Sequence, residues 1–228
     1  MLVEIWSDIA CPWCYVGKRR FEAALAEFEH RDEVQVVWRS FELDPDAPPE
    51  RVGDRAVRIA EKYGMTVEQA RSMEQRMIDM AAAEGLDFRF DIARSGTTFD
   101  AHRVVHLAQK YGLQDAMKER LLRAYFTEGE LVSDRETLVR LAAQVGLRED
   151  EAREALAGDR YAPQVRDDER SAEQLGIRAV PTFVIDRALG VSGAQNPPEL
   201  LELLRQGWEA SARQPLVAVG ETCAADGC

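Results

Sequence analysis

Hydrophobic and polar positions divide the chain into two ends that contain strands and a long helical middle. Leu2 to Ile9 is a short run of apolar and β-branched residues, which predicts a strand, and Val34 to Phe41 predicts a second one. Between them, apolar residues recur at i, i+4 and i+7, the pattern of an amphipathic helix. Two strands joined by one helix form a βαβ unit, so we expect these strands to be parallel.

The middle of the chain carries only helical periodicity. No strand candidate interrupts the segment from about Arg51 to Gly158, which is as long as a small domain. A helix after Pro163, a short strand over Thr182 to Ile185, a hairpin and a helix that opens at Pro197 complete the chain. We therefore predict an α/β domain made of residues 1–50 and 159–212, an inserted helical domain at 51–158 and a tail at 213–228.

Composition and charge narrow the function classes. Of the 228 residues, 46% are hydrophobic and 31% are charged, as in ordinary soluble globular proteins. The net charge of −12 speaks against nucleic acid and an anionic membrane as partners, since both require a basic surface. No apolar run reaches the ~18 residues of a membrane span, and the first ten residues lack the features of a signal peptide. We therefore expect a cytoplasmic protein.

The four cysteines form two close pairs at opposite ends of the chain: Cys11 with Cys14, and Cys223 with Cys228. They are too few for a disulfide-stapled scaffold, and in a reducing cytoplasm such pairs are more often catalytic or metal-binding. A zinc site built from all four cysteines is the alternative. Zinc-binding pairs usually lie on turns, and the second pair has CxxxxC spacing, so we expect no metal and no cofactor.

The first pair lies where the predicted strand gives way to the predicted helix. Cys11 would be at the helix N-terminus, where unpaired N–H groups and the helix dipole favour an anion. We therefore expect the pKa of Cys11 to fall below the free value of ~8.5. Cys14 follows one turn later, close enough to form an unstrained disulfide with Cys11. One sulfur can then attack a disulfide and the other can resolve the mixed disulfide.

Two segments of the sequence carry a family resemblance. Trp6 to Lys18 (WSDIACPWCYVGK) resembles the active-site segment of DsbA-type thioredoxin-fold oxidoreductases, most closely their FrnE-like branch. Gly176 to Phe183 (GIRAVPTF) resembles the cis-proline loop of that family, and Thr97 to Arg103 (TTFDAHR) resembles part of its helical insertion. The resemblance extends to about Trp208. It implies a thioredoxin-like α/β fold with a large all-helical insertion.

The resemblance also implies roles for individual residues. Cys11 would attack, Cys14 would resolve, Pro181 would follow a cis bond, and Val180 would offer its backbone to an extended substrate. The expected substrate-binding residues are Pro12, Trp13, Val180 and Pro181. The protein would be a disulfide oxidoreductase or isomerase that acts on protein or small-molecule thiols and disulfides. Glutathione and a thioredoxin-type reductant are candidate partners.

Trp13 departs from the family pattern. The best-studied DsbA proteins carry histidine at this place, whereas Trp13 adds no positive charge beside the Cys11 thiolate. The substitution predicts weaker thiolate stabilisation and a less oxidising couple than theirs.

A related thioredoxin-fold class offers an alternative function. Glutathione-dependent 2-hydroxychromene-2-carboxylate isomerases and kappa-class transferases usually carry serine in place of Cys11. They also have a Gly-x-Asp-Arg element, where this chain reads Gly193 to Asn196 (GAQN). Two cysteines and the missing charges favour dithiol chemistry. A binding module that has lost activity is a further alternative, and the intact CxxC motif argues against it.

Three minor features complete the sequence analysis. Cys223 and Cys228 could form a second redox pair, a terminus without function or a weak zinc site. His102 and His106 have i, i+4 spacing, which can bind a metal, but without an HExxH pattern they favour a structural role. The charged run from Arg166 to Glu169 predicts a solvated helix face.

Overall fold

A computed structural model of the chain describes residues 1–213, and the tail pair Cys223 and Cys228 lies outside the described residues. The sheet has the strand order β2-β1-β3-β4. β1 pairs in parallel with β2 and antiparallel with β3, and β4 pairs antiparallel with β3. The prediction that the first two strands are parallel is thus confirmed. The strands are β1 (Leu2–Ser7), β2 (Gln35–Ser40), β3 (Thr182–Ile185) and β4 (Leu189–Ser192).

The helices follow the predicted order. α1 connects β1 to β2, six helices fill the connection from β2 to α8, and α9 follows the hairpin of β3 and β4. This arrangement confirms the α/β fold with a helical insertion. Among the described residues, no helix is long and apolar enough to cross a membrane. The helices are α1 (Pro12–Glu27), α2 (Arg55–Tyr63), α3 (Val67–Ala83), α4 (Phe99–Gln109), α5 (Gln114–Phe126), α6 (Arg135–Gln144), α7 (Glu149–Ala157), α8 (Ala162–Gln174) and α9 (Pro197–Arg213).

One hydrophobic core joins the sheet to the helices. The same buried cluster contains Ile5 of β1, Phe21 of α1, Leu122 of α5 and Leu204 of α9. Phe21 stacks on Phe183 of β3 with ring centroids 5.5 Å apart. The inserted helices therefore share one core with the sheet.

The charged run on α8 is not the solvated face that the sequence predicted. Asp168 is buried. Its carboxylate accepts hydrogen bonds from the Ser40 backbone N–H at 2.8 Å and from Arg39 at 3.0 Å. Arg166 and Glu169 are half-buried, and within Arg166 to Glu169 only Asp167 is exposed. The prediction failed because α8 packs against β2, which supplies donors that local sequence cannot reveal.

Candidate active site

The first cysteine pair lies where β1 gives way to α1. Cys11 is the N-cap residue of α1, with φ −91° and ψ 113°, and Pro12 occupies the first turn. The Cys14 N–H donates to the Cys11 carbonyl at 3.0 Å. Both cysteines are free thiols. Cys11 keeps 3% of its surface exposed and Cys14 keeps none, so Cys11 is the outer sulfur of the pair.

The loop between α8 and β3 lies against this pair. The Val180–Pro181 peptide bond is cis, and the Cys11 sulfur lies 3.6 Å from the Val180 carbonyl oxygen. Both sulfurs belong to a small buried cluster with Trp6 and Val180. The structure thus brings Cys11, Cys14, Val180 and Pro181 together. Half-buried Pro12 and 39%-exposed Trp13 stand at the rim of the site.

Gly17 allows α1 to approach the Pro181 loop, and the sequence analysis missed this role. A Cβ atom at Gly17 would lie 2.8 Å from Cγ of Pro181 and 3.5 Å from the ring of Phe183. The proline ring is rigid, so a side chain at position 17 would push the loop away from the cysteines. Glycine within a predicted helix, three residues after the CxxC motif, was the available signal.

Asp8 anchors the segment that carries the cysteines. Its buried carboxylate accepts a hydrogen bond from the Leu43 N–H at 2.8 Å and a longer one from His102 Nε2 at 3.4 Å. Burial raises the pKa of Asp8, but the hydrogen bonds from His102 and from the Leu43 N–H outweigh it and lower the pKa overall. Burial lowers the pKa of His102. The pair is therefore a carboxylate beside a neutral imidazole that donates to it.

His106 makes separate contacts. Its Nε2 lies 3.1 Å from Ser40 Oγ and 3.0 Å from the Asp168 carboxylate. The two histidines thus bond to different carboxylates, Asp8 and Asp168, on different elements. Each joins α4 to the sheet side of the molecule, in keeping with the structural role that the sequence favoured.

The two thiols titrate as an interacting pair, and the order differs from the expectation for Cys11. The hydrogen bond with Cys14, burial and the Cys14 charge raise the pKa of Cys11 well above its ordinary value. Burial also raises the pKa of Cys14, but the hydrogen bond from Cys11 and the charge of Lys118 lower it overall. The prediction of a lowered Cys11 pKa is therefore wrong for the reduced pair. A second thiolate cannot form readily beside the first.

Lys118 is the second residue that the sequence analysis missed. It lies on α5, is 1% exposed, and its ammonium group donates to the Ser7 carbonyl at 3.1 Å. The available signal was periodicity, because Lys118 precedes Leu121, Leu122 and Tyr125 by three, four and seven positions. Lys118 thus falls on the apolar face of its helix, and the structure turns that face toward the end of β1.

The fold and the dithiol at a helix N-terminus define a thioredoxin-like protein with a helical insertion, and comparison with known proteins gives its family. The sequence model described as DSBA-like thioredoxin domain matches residues 2–205. The chain belongs to this family.

Two relatives share substantial sequence with the chain. The protein YwbO of Bacillus subtilis is 31% identical over 186 residues, which cover 80% of this chain and 86% of YwbO. The crystal structure of the probable DsbA oxidoreductase SCO1869 from Streptomyces coelicolor is 49% identical, with a TM-score of 0.90 and coverage of 100% of this chain and 98% of that one.

Two more distant structures share the fold. The cytosolic disulfide reductase DsbM from Pseudomonas aeruginosa, solved with GSH, is 21% identical, with a TM-score of 0.65 and coverage of 92% and 100%. A 2-hydroxychromene-2-carboxylate isomerase is 12% identical, with a TM-score of 0.63 and coverage of 94% and 97%.

Proposed function

We propose that the protein is a thiol–disulfide oxidoreductase that uses Cys11 and Cys14 on protein or small-molecule disulfides and dithiols. The observation that carries this proposal is the position of the Cys11 thiol. It lies at the start of α1, faces the Val180 carbonyl at 3.6 Å, and has the fully buried Cys14 behind it. A partner can reach the outer sulfur first, and only the inner sulfur can then displace it.

The reaction follows from this order of access. In the reducing direction, the Cys11 thiol gives its proton to the Cys14 thiolate, and the Cys11 sulfur attacks one sulfur of the substrate disulfide. A mixed disulfide forms, and the other substrate sulfur leaves as a thiolate. Cys14 then gives that proton to the first substrate thiolate and attacks Sγ of Cys11, so that the mixed disulfide breaks and the second substrate thiolate leaves. The two protein cysteines have then given two electrons to the substrate, which is reduced to two thiols. Oxidation of a substrate dithiol is the same sequence in reverse.

The likeness to DsbM supports glutathione as one partner, since the DsbM structure was solved with GSH. Protein substrates with accessible thiols or disulfides are the other class, and a thioredoxin-type reductant is a further candidate. An extended segment could pair with the backbone of Val180 beside the exposed Trp13. The proposed setting is the cytoplasm, where free dithiols persist.

Trapping of mixed disulfides tests the proposal. Cys14→Ser should hold substrates on Cys11 as mixed disulfides, because the resolving sulfur is absent. The matched control is the Cys11→Ser/Cys14→Ser double variant, which should trap nothing. In glutathione buffers, the parent protein should pass from dithiol to Cys11–Cys14 disulfide, and Cys11→Ser should lose insulin reduction.

Two outcomes would overturn this function. The first is absence of the Cys11–Cys14 disulfide at every glutathione ratio, and the second is reduction of insulin by Cys11→Ser at the rate of the parent. Turnover of 2-hydroxychromene-2-carboxylate with glutathione, without thiol–disulfide exchange, would assign the protein to the isomerase class instead. A binding module would keep its partner in the Cys11→Ser variant.

A further inference from the structure

Lys118 is a buried cation without a carboxylate partner among the described residues. Its ammonium group makes a hydrogen bond to the Ser7 carbonyl and lies 5.7 Å from the centroid of the Trp38 ring. No carboxylate of residues 1–213 forms an ion pair with it. A lone ammonium group in a protein interior costs several kcal/mol, so a charge of opposite sign nearby would stabilise it.

The acidic groups that act on Lys118 are few. Burial lowers the pKa of Lys118, and the charges of Cys14, Asp8 and Cys11 oppose this, that of Cys14 most. Cys14 also lies in the buried cluster of Trp6, the residue that precedes Ser7. Asp8 already directs its oxygens to Leu43 and His102. The inner sulfur, Cys14, is therefore the strongest candidate for the partner of this cation.

Other charged groups near Lys118 do not replace that partner. Lys18 of α1 approaches the same Trp38 ring at 5.9 Å and opposes the charge of Lys118. On α4, the positive charge of Lys118 helps to lower the pKa of His102, which favours the neutral imidazole. Neither group supplies an anion.

Ser7 provides a second polar group beneath the cysteines. Its buried hydroxyl has no hydrogen-bond partner among the described groups. Ser7 nevertheless helps to lower the pKa of Cys14, which favours the thiolate. The carbonyl of the same residue holds the Lys118 ammonium group. The last residue of β1 thus places one cation and one free hydroxyl beside the inner sulfur.

We propose that Lys118 is a positioning residue for the dithiol chemistry: its ammonium group, held by Ser7, stabilises the thiolate of Cys14. This inference rests on the proposed oxidoreductase function and assigns a task to a helix of the insertion. The thiolate of Cys14 is the nucleophile that attacks Cys11 when the mixed disulfide is resolved. Disulfide formation consumes this anion and leaves Lys118 without its partner. The ion pair therefore favours the reduced protein.

The equilibrium with glutathione measures how far the ion pair favours the reduced protein over the disulfide. Two glutathione thiols reduce the Cys11–Cys14 disulfide and become one glutathione disulfide. Two electrons and one proton pass to the protein, which then holds Cys11 as a thiol and Cys14 as a thiolate, and the second proton is released. Loss of Lys118 removes stabilisation from the dithiol form only. The equilibrium should then shift toward the protein disulfide, about tenfold for each unit by which the thiol pKa rises.

The test titrates the inner thiol by its thiolate absorbance in the full chain. The parent carries Cys11→Ser, Cys223→Ser and Cys228→Ser, so that Cys14 is the sole cysteine. Adding Lys118→Met should raise the pKa of Cys14 by about one unit or more. Lys118→Gln is the second variant, and a circular dichroism spectrum establishes that each variant is folded. Lys18→Met is the matched control and should leave the titration of Cys14 nearly unchanged.

The glutathione equilibrium is then measured with Cys11 and Cys14 both present. Lys118→Met should favour the disulfide about tenfold relative to Lys18→Met. The inference is overturned if folded Lys118→Met and Lys118→Gln titrate and equilibrate as their parents do. Failure of the proposed function looks different, because no Cys11–Cys14 disulfide would form in the parent while the Cys14 titration would still respond to Lys118.

Discussion

Lys18 and Lys118 are both buried, and both lie against the ring of Trp38, but their surroundings differ. Lys18, on α1, forms an ion pair with Glu22, and its ammonium group lies 3.2 Å from Asp115. A third carboxylate, that of Glu119 at 3.3 Å, completes its surroundings. Lys118, on α5, has no such partner within the described residues.

The difference appears in the titration of the two ammonium groups. Burial lowers the pKa of Lys18, but the charge of Asp115 and the hydrogen bond to Glu22 outweigh it and raise the pKa overall. Burial lowers the pKa of Lys118 to about 8, against the weaker effect of Cys14. A fully paired buried lysine supports the structure, whereas a buried lysine without a carboxylate, beside reactive groups, indicates a functional site.

The largest predicted effect compares the loss of each lysine. Lys18→Met should lower the free energy of unfolding by about 2 kcal/mol, because the buried cation is lost while its partly exposed carboxylates remain and two of them keep Arg19. Lys118→Met should change it by less than ~1 kcal/mol, since Cys14 can take up a proton once the cation is gone and no unpaired charge stays buried. Urea denaturation of both variants measures the difference. Equal destabilisation would remove the distinction between the two lysines.

At Glu42 the imbalance is the opposite, because two carboxylates, those of Glu42 and Glu169, share one cation, Arg166. Burial and the charge of Glu169 raise the pKa of Glu42 to about 7, against the effect of Arg166. The folded state thus prefers the protonated carboxyl. Its contribution to stability is complete below the ordinary pKa of 4.5 and is lost as the pH rises from there to about 7. This loss should amount to about 2 kcal/mol.

Glu42→Gln should remove that pH dependence, because the amide stays neutral. Urea denaturation between pH 4.5 and pH 7 should therefore show a flatter profile for the variant than for the parent. Glu27→Gln, on the exposed side of α1, is the control and should retain the slope of the parent. A parental slope in Glu42→Gln would show that another group titrates in this range.

The smallest predicted effect concerns the Ser7 hydroxyl. Ser7→Ala removes the hydroxyl beside Cys14 but keeps the carbonyl that holds Lys118. The pKa of Cys14 should rise by less than one unit, because a neutral donor stabilises a thiolate less than a cation does. Thiolate absorbance in the single-cysteine chain measures it. A rise larger than that of Lys118→Met would transfer the main role to Ser7.

Local pattern predicted much of the fold. The strand over Leu2 to Ile9 ends two residues earlier, at Ser7, and the strand over Val34 to Phe41 is one residue shorter at each end. These elements have strong periodicity and clear turns, which sequence reveals best. Cys11, Cys14 and Pro181 were likewise visible in short motifs.

The polar groups around the cysteines were harder to predict. Lys118 meets Ser7 across 111 positions of sequence, and Asp168 meets Ser40 across 128. Whether such a side chain is solvated or buried depends on which helix covers the end of a strand, and no local pattern contains that information. The predicted lowering of the Cys11 pKa was wrong for the same reason, because the sequence revealed the helix N-terminus but not the buried cation.

The position of Trp6 gives the protein an internal optical probe. Its indole is fully buried in the cluster that contains Cys11 and Cys14, and its Nε1–H donates to the Asp168 carbonyl at 3.0 Å. An excited indole loses energy by electron transfer to a nearby disulfide. The tryptophan emission should therefore fall when the cysteines are oxidised, and a Trp6→Phe variant should lose the part of that change that Trp6 contributes. Redox titrations of this protein can thus be followed without a label.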